Sequence, residues 1–294
     1  MTIVRFLKQN AGFILVTVLL LACVAVWAAV YAEHSSGVLT LAVLNIGQGD
    51  ALFIESPTGI QVVVDGGPDS SILRELPKVM PSFDRSIDAV IETHPDADHI
   101  GGFVDVLQRY KVGAFIKPGI LKNTATNRAL EREVAVQKLP TYIARRGMTL
   151  DLGGGAYLHI LYPDHDVSRL NENRANEGAV VAHLIYGETF ALLTADVPGA
   201  VEKRLLALDG AGLQSGILKV GHHGSRTSTD AAFLSAVMPA TAVISVGARN
   251  TYGHPTKEVL QRLSGRNINI LRTDENGTVI CRSNGAVFSC SGER

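Results

Sequence analysis

From residue 39 onward the chain is a series of short apolar runs, and several of them stop on an acid or an imidazole. "VVVD" ends at Asp65, "AVIET" leads into His94, "LLTAD" ends at Asp196, and "LKVG" leads into His222 and His223. Val- and Ile-rich runs of this length, bounded by Gly, Pro, Asn or Asp, read as buried strands. The first three, "VLTLAVLNI", "ALFIES" and "IQVVVDGG", arrive as a meander. Later ones alternate with helix candidates at 70–79, 99–110, 124–146, 199–208, 228–237 and 256–264. That order predicts an α/β fold of mixed sheets covered by helices. Strand ends at one edge of such a layered fold converge on a common cleft, so residues far apart in sequence can meet there.

The rest of the composition sets bounds. With 294 residues, 46% of them hydrophobic, the chain can bury a full core, which excludes a disordered polypeptide. A net charge of −1 supplies no global basic field, so any contact with a polyanion must be local. Residues 11–32 carry no charge and follow Arg5 and Lys8. Such a run predicts one N-terminal transmembrane helix with a cytoplasmic N-terminus and the following domain outside. A cleavable signal peptide, with "VYA" before Glu33, is the rival and would make the domain secreted; a buried core helix is a third reading. Residues 1–36 are therefore taken as anchor or signal segment plus the short stalk "EHSSG", and 37–294 as one domain. Cys281 and Cys290 flank a hairpin turning at Asn284-Gly285, either as a disulfide or as two unpaired core cysteines.

The densest chemistry lies in "THPDADHIGG", residues 93–102. An extended loop would send His94, Asp96 and Asp98 the same way by alternation, with His99 offset toward a second ion. Gly101-Gly102 leaves room for the next helix to pack closely. One divalent ion could use His94 and Asp96 and another Asp98 and His99, with Asp196 bridging them; such a pair activates water and clamps a phosphoryl or carbonyl oxygen. His159 and His183 fall inside strand patterns and read as structural, His34 and His165 as solvated. "GHHGS" lacks the G-x-S-x-G placement of a nucleophile elbow, and "GGG" at 153–155 fits no phosphate loop, which argues against a serine hydrolase or a nucleotide-binding loop.

"HPDADHIGG", "VVVDGG", "LLTADV" and "LKVGHHGSRTS" resemble the motifs of the metallo-β-lactamase superfamily, whose usual signature is H-x-H-x-D-H. More narrowly, "LNIGQGDALFIESPTGIQVVVDGGP", "GHHGSRTS" and "NTYGHPTKEVLQRL" resemble the C-terminal domain of DNA-internalisation competence proteins of the ComEC type, in order, over nearly all of 39–279. The resemblance implies an αββα metallo-β-lactamase sandwich, two divalent ions, Zn or Mn, and phosphodiesterase or nuclease activity. It implies His94, Asp96, Asp98, His99 and Asp196 as ligands, and one of the tandem histidines with them. His223 is taken as that ligand; Asp98, His222 and His254 are taken as catalytic. Asp65 matches a supporting aspartate, and Asn173 or Asn176 stands where the third-motif histidine is missing. Lys219, Arg226, Arg249 and Lys257 flank these loops as a local basic rim for a phosphate backbone, and Ser225 is taken as a supporting or substrate-side residue. The expected partners are single- or double-stranded DNA or another phosphodiester, and the membrane through the N-terminal helix. ComEC proteins carry a multi-helix channel; this chain has one apolar segment. A wall-polymer phosphodiester, a lactone or a β-lactam amide are alternative substrates, and a non-catalytic anchored binding domain is the alternative class. Asp96 in place of histidine makes one ion's shell harder, favouring Mn²⁺ or Mg²⁺ over Zn²⁺.

Overall fold

A computed structural model describes residues 10–34 and 37–294, with side chains described for 10–27 and 37–294. Two sheets face each other. The eight-stranded sheet has the spatial order Phe288–Gly292, Val279–Ser283, Leu39–Val43, Leu52–Glu55, Gln61–Val64, Ser86–Ile91, Lys111–Lys117, Thr141–Ile143. It is antiparallel up to Gln61–Val64 and parallel beyond. The seven-stranded sheet runs Asn269–Arg272, Thr241–Ile244, Ile217–Lys219, Thr189–Leu193, Val181–Tyr186, Ala156–Tyr162, Thr149–Asp151. Its first four strands are mutually parallel and the rest antiparallel.

Each sheet is buried on both faces, which explains why the strands read as continuous apolar runs rather than alternating ones. Val62 and Val64 point between the sheets, where they join Leu41, Ile91, Leu158, Leu193 and Ile217. Val63, one residue out of phase, packs outward with residues of helices Ile72–Val79, Phe103–Arg109 and Ala125–Gln137. The second sheet is covered in the same way by Gly199–Asp209, Ala231–Val237 and Lys257–Ser264. The result is an αββα sandwich.

Two helix boundaries differ from the sequence reading. The helix expected over 124–146 ends at Gln137, because Lys138 turns left-handed at φ 53° and Pro140 follows; the chain then enters the strands Thr141–Ile143 and Thr149–Asp151. The helix expected over 99–110 is two pieces, Ala97–Ile100 and Phe103–Arg109. The glycine pair between them is demanded by close approach: a Cβ on Gly102 would lie 2.3 Å from the Gly66 carbonyl oxygen and 2.4 Å from that of Asp69.

At the N-terminus a helix spans Ala11–His34, and its described side chains, through Trp27, are exposed. Among the described residues no helix is long and apolar enough to cross a membrane. The crossing expected over 11–32 includes residues 28–32, whose side chains lie outside the described ones, as do Arg5, Lys8 and residues 35–36 of the stalk. Cys281 and Cys290 stand directly opposite each other in the terminal hairpin and are joined as a disulfide.

Candidate metal centre

The parallel strands of both sheets end at one edge of the sandwich, and each hands the chain to a polar residue there. Val64 is followed by Asp65, Ile91 by Glu92, Thr93 and His94, Leu193 by Thr194, Ala195 and Asp196, and Lys219 by Val220, Gly221, His222 and His223. The backbone turns sharply at these points: Asp65, Ala195, His222 and His223 have φ of 58°, 45°, 49° and 53°. Left-handed backbone costs a non-glycine residue about 1–3 kcal/mol, and such strain clusters at functional sites.

Three buried imidazoles are each tied through one nitrogen. Asp65 accepts from the Thr93 amide at 2.8 Å and from the Thr93 hydroxyl at 2.6 Å, and its Oδ2 lies 2.7 Å from His99 Nδ1. The Thr93 hydroxyl, its proton given to Asp65, sits 3.0 Å from His94 Nδ1 as acceptor. His223 Nδ1 is 3.0 Å from the Ser245 carbonyl oxygen. These contacts place a proton on each Nδ1 and leave Nε2 of His94, His99 and His223 bare. All three Nε2 atoms, and Asp196 Oδ1, are buried without a hydrogen-bond partner.

Each such atom costs about 1–3 kcal/mol, so four together call for a ligand. Asp196 Oδ2 lies 3.4 Å from both His99 Nε2 and His223 Nε2, Asp98 Oδ2 lies 3.5 Å from His223 Nε2, and Asp96 Oδ2 lies 3.8 Å from His94 Nε2. Two donors bonded to one tetrahedral zinc stand about 3.3 Å apart. His94, His99 and Asp196 form one group with ligand atoms within 4.8 Å of one another, and Asp98, His99 and His223 form a second. Nitrogen and carboxylate donors in this arrangement fit divalent ions.

The electrostatics agree. Burial alone would push His99 and His223 down, yet Asp196 with Asp65, and Asp196 with Asp50, hold them well above the ordinary imidazole value. Burial would raise Asp196, and His223 and His99 instead hold it well below the carboxylate range. Asp98 is likewise drawn down to about 2 against burial, by His223 and His99. The carboxylates that favour positive charge at these rings would favour a divalent cation at Nε2 in the same way.

A cleft of about 160 Å³ opens over the cluster, lined by Asp96, Asp98, Asn176, Asp196, His222, His223 and His254 together with Gln48 and Tyr252. Asn176, not Asn173, is thus the amide that reaches the cleft. The tandem histidines divide: the His223 side chain is 2% exposed and turned into the cluster, that of His222 31% exposed with Nε2 3.7 Å from Asp196 Oδ2. The His254 ring lies 5.8 Å from that of His222, and Asn250 Oδ1 accepts its backbone N–H at 3.0 Å.

Other expected members lie elsewhere. Lys219 is no part of a basic rim: it is buried, with Nζ 2.7 Å from Asp50 Oδ2, because its strand passes under the cluster rather than along the mouth. Ser225 is buried behind His222, its Oγ 3.0 Å from Thr227 Oγ1, which stands 3.3 Å from His222 Nδ1. Arg226, Arg249 and Lys257 are exposed and outside the cleft lining. His159 and His183 bond Thr149 Oγ1 and Ser215 Oγ at 2.6 and 2.9 Å, away from the cleft.

Two charged groups escaped the sequence reading, as did Thr93 beside the cluster and Gln48 and Tyr252 in the cleft lining. Asp50, in "GQGD", is buried with Oδ1 3.4 Å from His223 Nδ1. Lys122 places Nζ 2.5 Å from Asp96 Oδ1. An acid just before the apolar run "ALFIES" was the available signal for Asp50, since a buried carboxylate needs a cation.

The αββα layering and the acid-and-imidazole cluster at its strand ends define a metal-dependent hydrolase of metallo-β-lactamase fold. The Metallo-beta-lactamase superfamily profile matches residues 44–248, and the chain belongs to that superfamily. Among curated proteins it is 30% identical to ComE operon protein 3 of Bacillus subtilis over 80% of this chain and 32% of the relative. It is 31% identical to competence protein ComA of Neisseria gonorrhoeae, over 66% of this chain and 25% of the relative. Recombination protein 2 of Haemophilus influenzae is 30% identical, over 75% of this chain and 26% of its own length. All three are competence proteins of the ComEC type, and the chain spans a third or less of their length. Among solved structures, the metallo-β-lactamase fold protein YhfI of Bacillus subtilis aligns with TM-score 0.52 and 11% identity, over 80% of this chain and 95% of that one. The metallo hydrolase Igni18 of Ignicoccus hospitalis aligns with TM-score 0.52 and 14% identity, over 82% and 98%. These two likenesses concern the fold.

Proposed function

We propose that the chain is a dinuclear metal-dependent phosphodiesterase acting on DNA, held at the outer face of the cytoplasmic membrane by its N-terminal helix. The observation that carries the hydrolase reading is the set of bare, buried Nε2 atoms of His94, His99 and His223 around Asp196 beneath an open cleft. DNA as substrate is drawn from the competence relatives. The uncharged run at 11–32 after Arg5 and Lys8 argues for the anchor, and the Cys281–Cys290 disulfide suits an oxidising compartment.

In this reading His94, Asp96 and Asp196 hold one ion, and Asp98, His99, His223 and Asp196 the other. Bound there, the ions would supply Lewis acidity toward a phosphoryl oxygen and toward water. The chain's own part is to prepare that ground. Asp65 and Thr93 fix the tautomers and ring orientations of His94 and His99, the support that ligating histidines generally receive. His222 and His254 line the cleft as hydrogen-bond donors for a phosphoryl or leaving oxygen. Burial and the neighbouring His222 hold His254 below its ordinary value, so it is neutral at pH 7 and can give an N–H without adding charge.

The test is turnover of bis-(p-nitrophenyl) phosphate, single-stranded DNA and nitrocefin by metal-stripped protein resupplied with Mn²⁺ or Zn²⁺. Phosphodiester cleavage restored by metal, with nitrocefin intact, is expected; nitrocefin hydrolysis without phosphodiester cleavage would overturn the reading. Protease added to intact spheroplasts should digest the domain, and protection until lysis would overturn the topology.

A further inference from the structure

The superfamily signature has histidine where this chain has Asp96, so an anionic donor replaces a neutral one. Lys122 answers that change. Its ammonium lies 2.5 Å from Asp96 Oδ1, on the side away from His94, while Asp96 Oδ2 stands 3.8 Å from His94 Nε2. The pair is partly covered, with side chains 18% and 29% exposed, so solvent screens it incompletely. Lys122 is itself held in place: its carbonyl oxygen accepts from Asn127 Nδ2 at 2.7 Å, and Asn127 sits in the first turn of a helix whose N-cap, Thr124, accepts from the Asn127 amide at 3.2 Å. The lysine is therefore anchored at both ends, through its backbone to the helix start and through Nζ to the carboxylate.

We infer that Lys122 acts on Asp96 chiefly as a charge-compensating residue. It occupies one carboxylate oxygen, turns the other toward His94, and cancels the charge that distinguishes Asp96 from an imidazole. The donor atom offered to the ion is then an oxygen, while the net charge of the ligand pair matches that of the histidine version. The lysine also lines a neighbouring groove together with Lys117, Ile120, Leu121, Asn127 and Glu131. This inference rests on the reading of Asp96 as a ligand.

Compensation and a merely structural role in the loop predict opposite effects of removing the lysine. If compensation governs, an unneutralised Asp96 should bind a divalent cation more tightly; a unit charge a few ångströms away, partly screened, is worth about tenfold in affinity. If Lys122 served the loop alone, its loss would weaken binding or leave it unchanged.

The experiment is Mn²⁺ titration by calorimetry of the chelator-stripped full chain in detergent, for wild type, Lys122→Met and Lys122→Arg. Lys122→Met should tighten the weaker of the two binding steps about tenfold, with unchanged stoichiometry, and Lys122→Arg should keep wild-type affinity. Tightening is a readout that a damaged loop does not produce. Weaker or unaltered binding in a folded Lys122→Met protein overturns the inference while leaving the hydrolase reading intact. Should Lys122→Met not fold, weaker binding by Lys122→Arg, which keeps the charge, overturns it in the same way. Wild type that binds no Mn²⁺ or Zn²⁺ overturns both.

Discussion

Replacing Lys219 by methionine should destabilise the fold by about 3–5 kcal/mol at pH 7, the usual cost of removing one partner of a buried ion pair. Asp50 and Lys219 are both about 1% exposed, and Nζ is 2.7 Å from Oδ2. Burial pushes the Asp50 carboxyl up, but the ammonium and His223 hold it well below the carboxylate range. Without Lys219 the carboxylate would sit near Asp196 with only His223 and His99 to answer it. It can escape by taking up a proton, and for a carboxyl of ordinary pKa that costs about 4 kcal/mol at pH 7, inside the range given. The two routes agree. Lys219→Met keeps the apolar stem, so cavity formation adds little. The assay is urea unfolding of the full chain in detergent with excess EDTA, to remove any stabilisation by bound metal. The double variant Asp50→Asn/Lys219→Met should recover at least about 2 kcal/mol relative to the sum of the single losses, because it removes both charges. A loss below about 1 kcal/mol for Lys219→Met, or strict additivity in the cycle, would show that the pair is not the buried unit described here.

His183 is buried and held neutral, burial pushing it down to about 4. The unfolded chain therefore takes up the proton first as pH falls below about 6.5, so the contribution of His183 to stability should be level above that value and decline by roughly 3 kcal/mol toward pH 4. The urea midpoint of wild type should therefore fall relative to that of His183→Gln as pH drops from about 6.5 to 4, and an identical slope in the variant would rule out that contribution. Gly102→Ala should cost about 3 kcal/mol or more and lower metal stoichiometry, since its Cβ would meet backbone at 2.3 and 2.4 Å and displace the turn carrying His99; a melting temperature and metal content equal to wild type would contradict that packing. Asp96→His should shift activity from Mn²⁺ toward Zn²⁺ by replacing a hard donor with imidazole, and equal metal profiles in a folded variant would mean that Asp96 is not a ligand.

The layering was legible because its cause is local. A strand buried on both faces must be apolar throughout, as "VVV" at 62–64 is, and polar residues can appear only where it stops. That one constraint points to Asp65, His94, Asp196 and the tandem histidines together. The early end of the helix at Gln137 was less legible, because Lys138 is an ordinary helix former and only its left-handed backbone reveals the cap. Charge partners were the least legible. Lys219 reaches Asp50 across 169 residues of sequence and Lys122 reaches Asp96 across 26. Lys219 read as part of a basic rim and Lys122 was not singled out; the meeting of the two sheets turns Lys219 inward, and the packing of neighbouring loops at one sheet edge brings Lys122 to Asp96.

The tandem histidines show where the limit lies. Neighbours in a strand would point to opposite faces, so one would enter the cluster and the other leave it, and nothing in "GHHGS" says which. The chain does not continue as a strand there. Both residues turn left-handed, at φ 49° and 53°, and their rings cross at 71° with centroids 6.2 Å apart. His223 is thereby driven under the strand ends, where the Ser245 carbonyl oxygen accepts a hydrogen bond from its Nδ1–H. His222 is left on the cleft wall beside His254, with part of its ring in solvent. One ring is thus placed to bind an ion and the other to face what lies above it, a division of labour set by two backbone angles rather than by residue type.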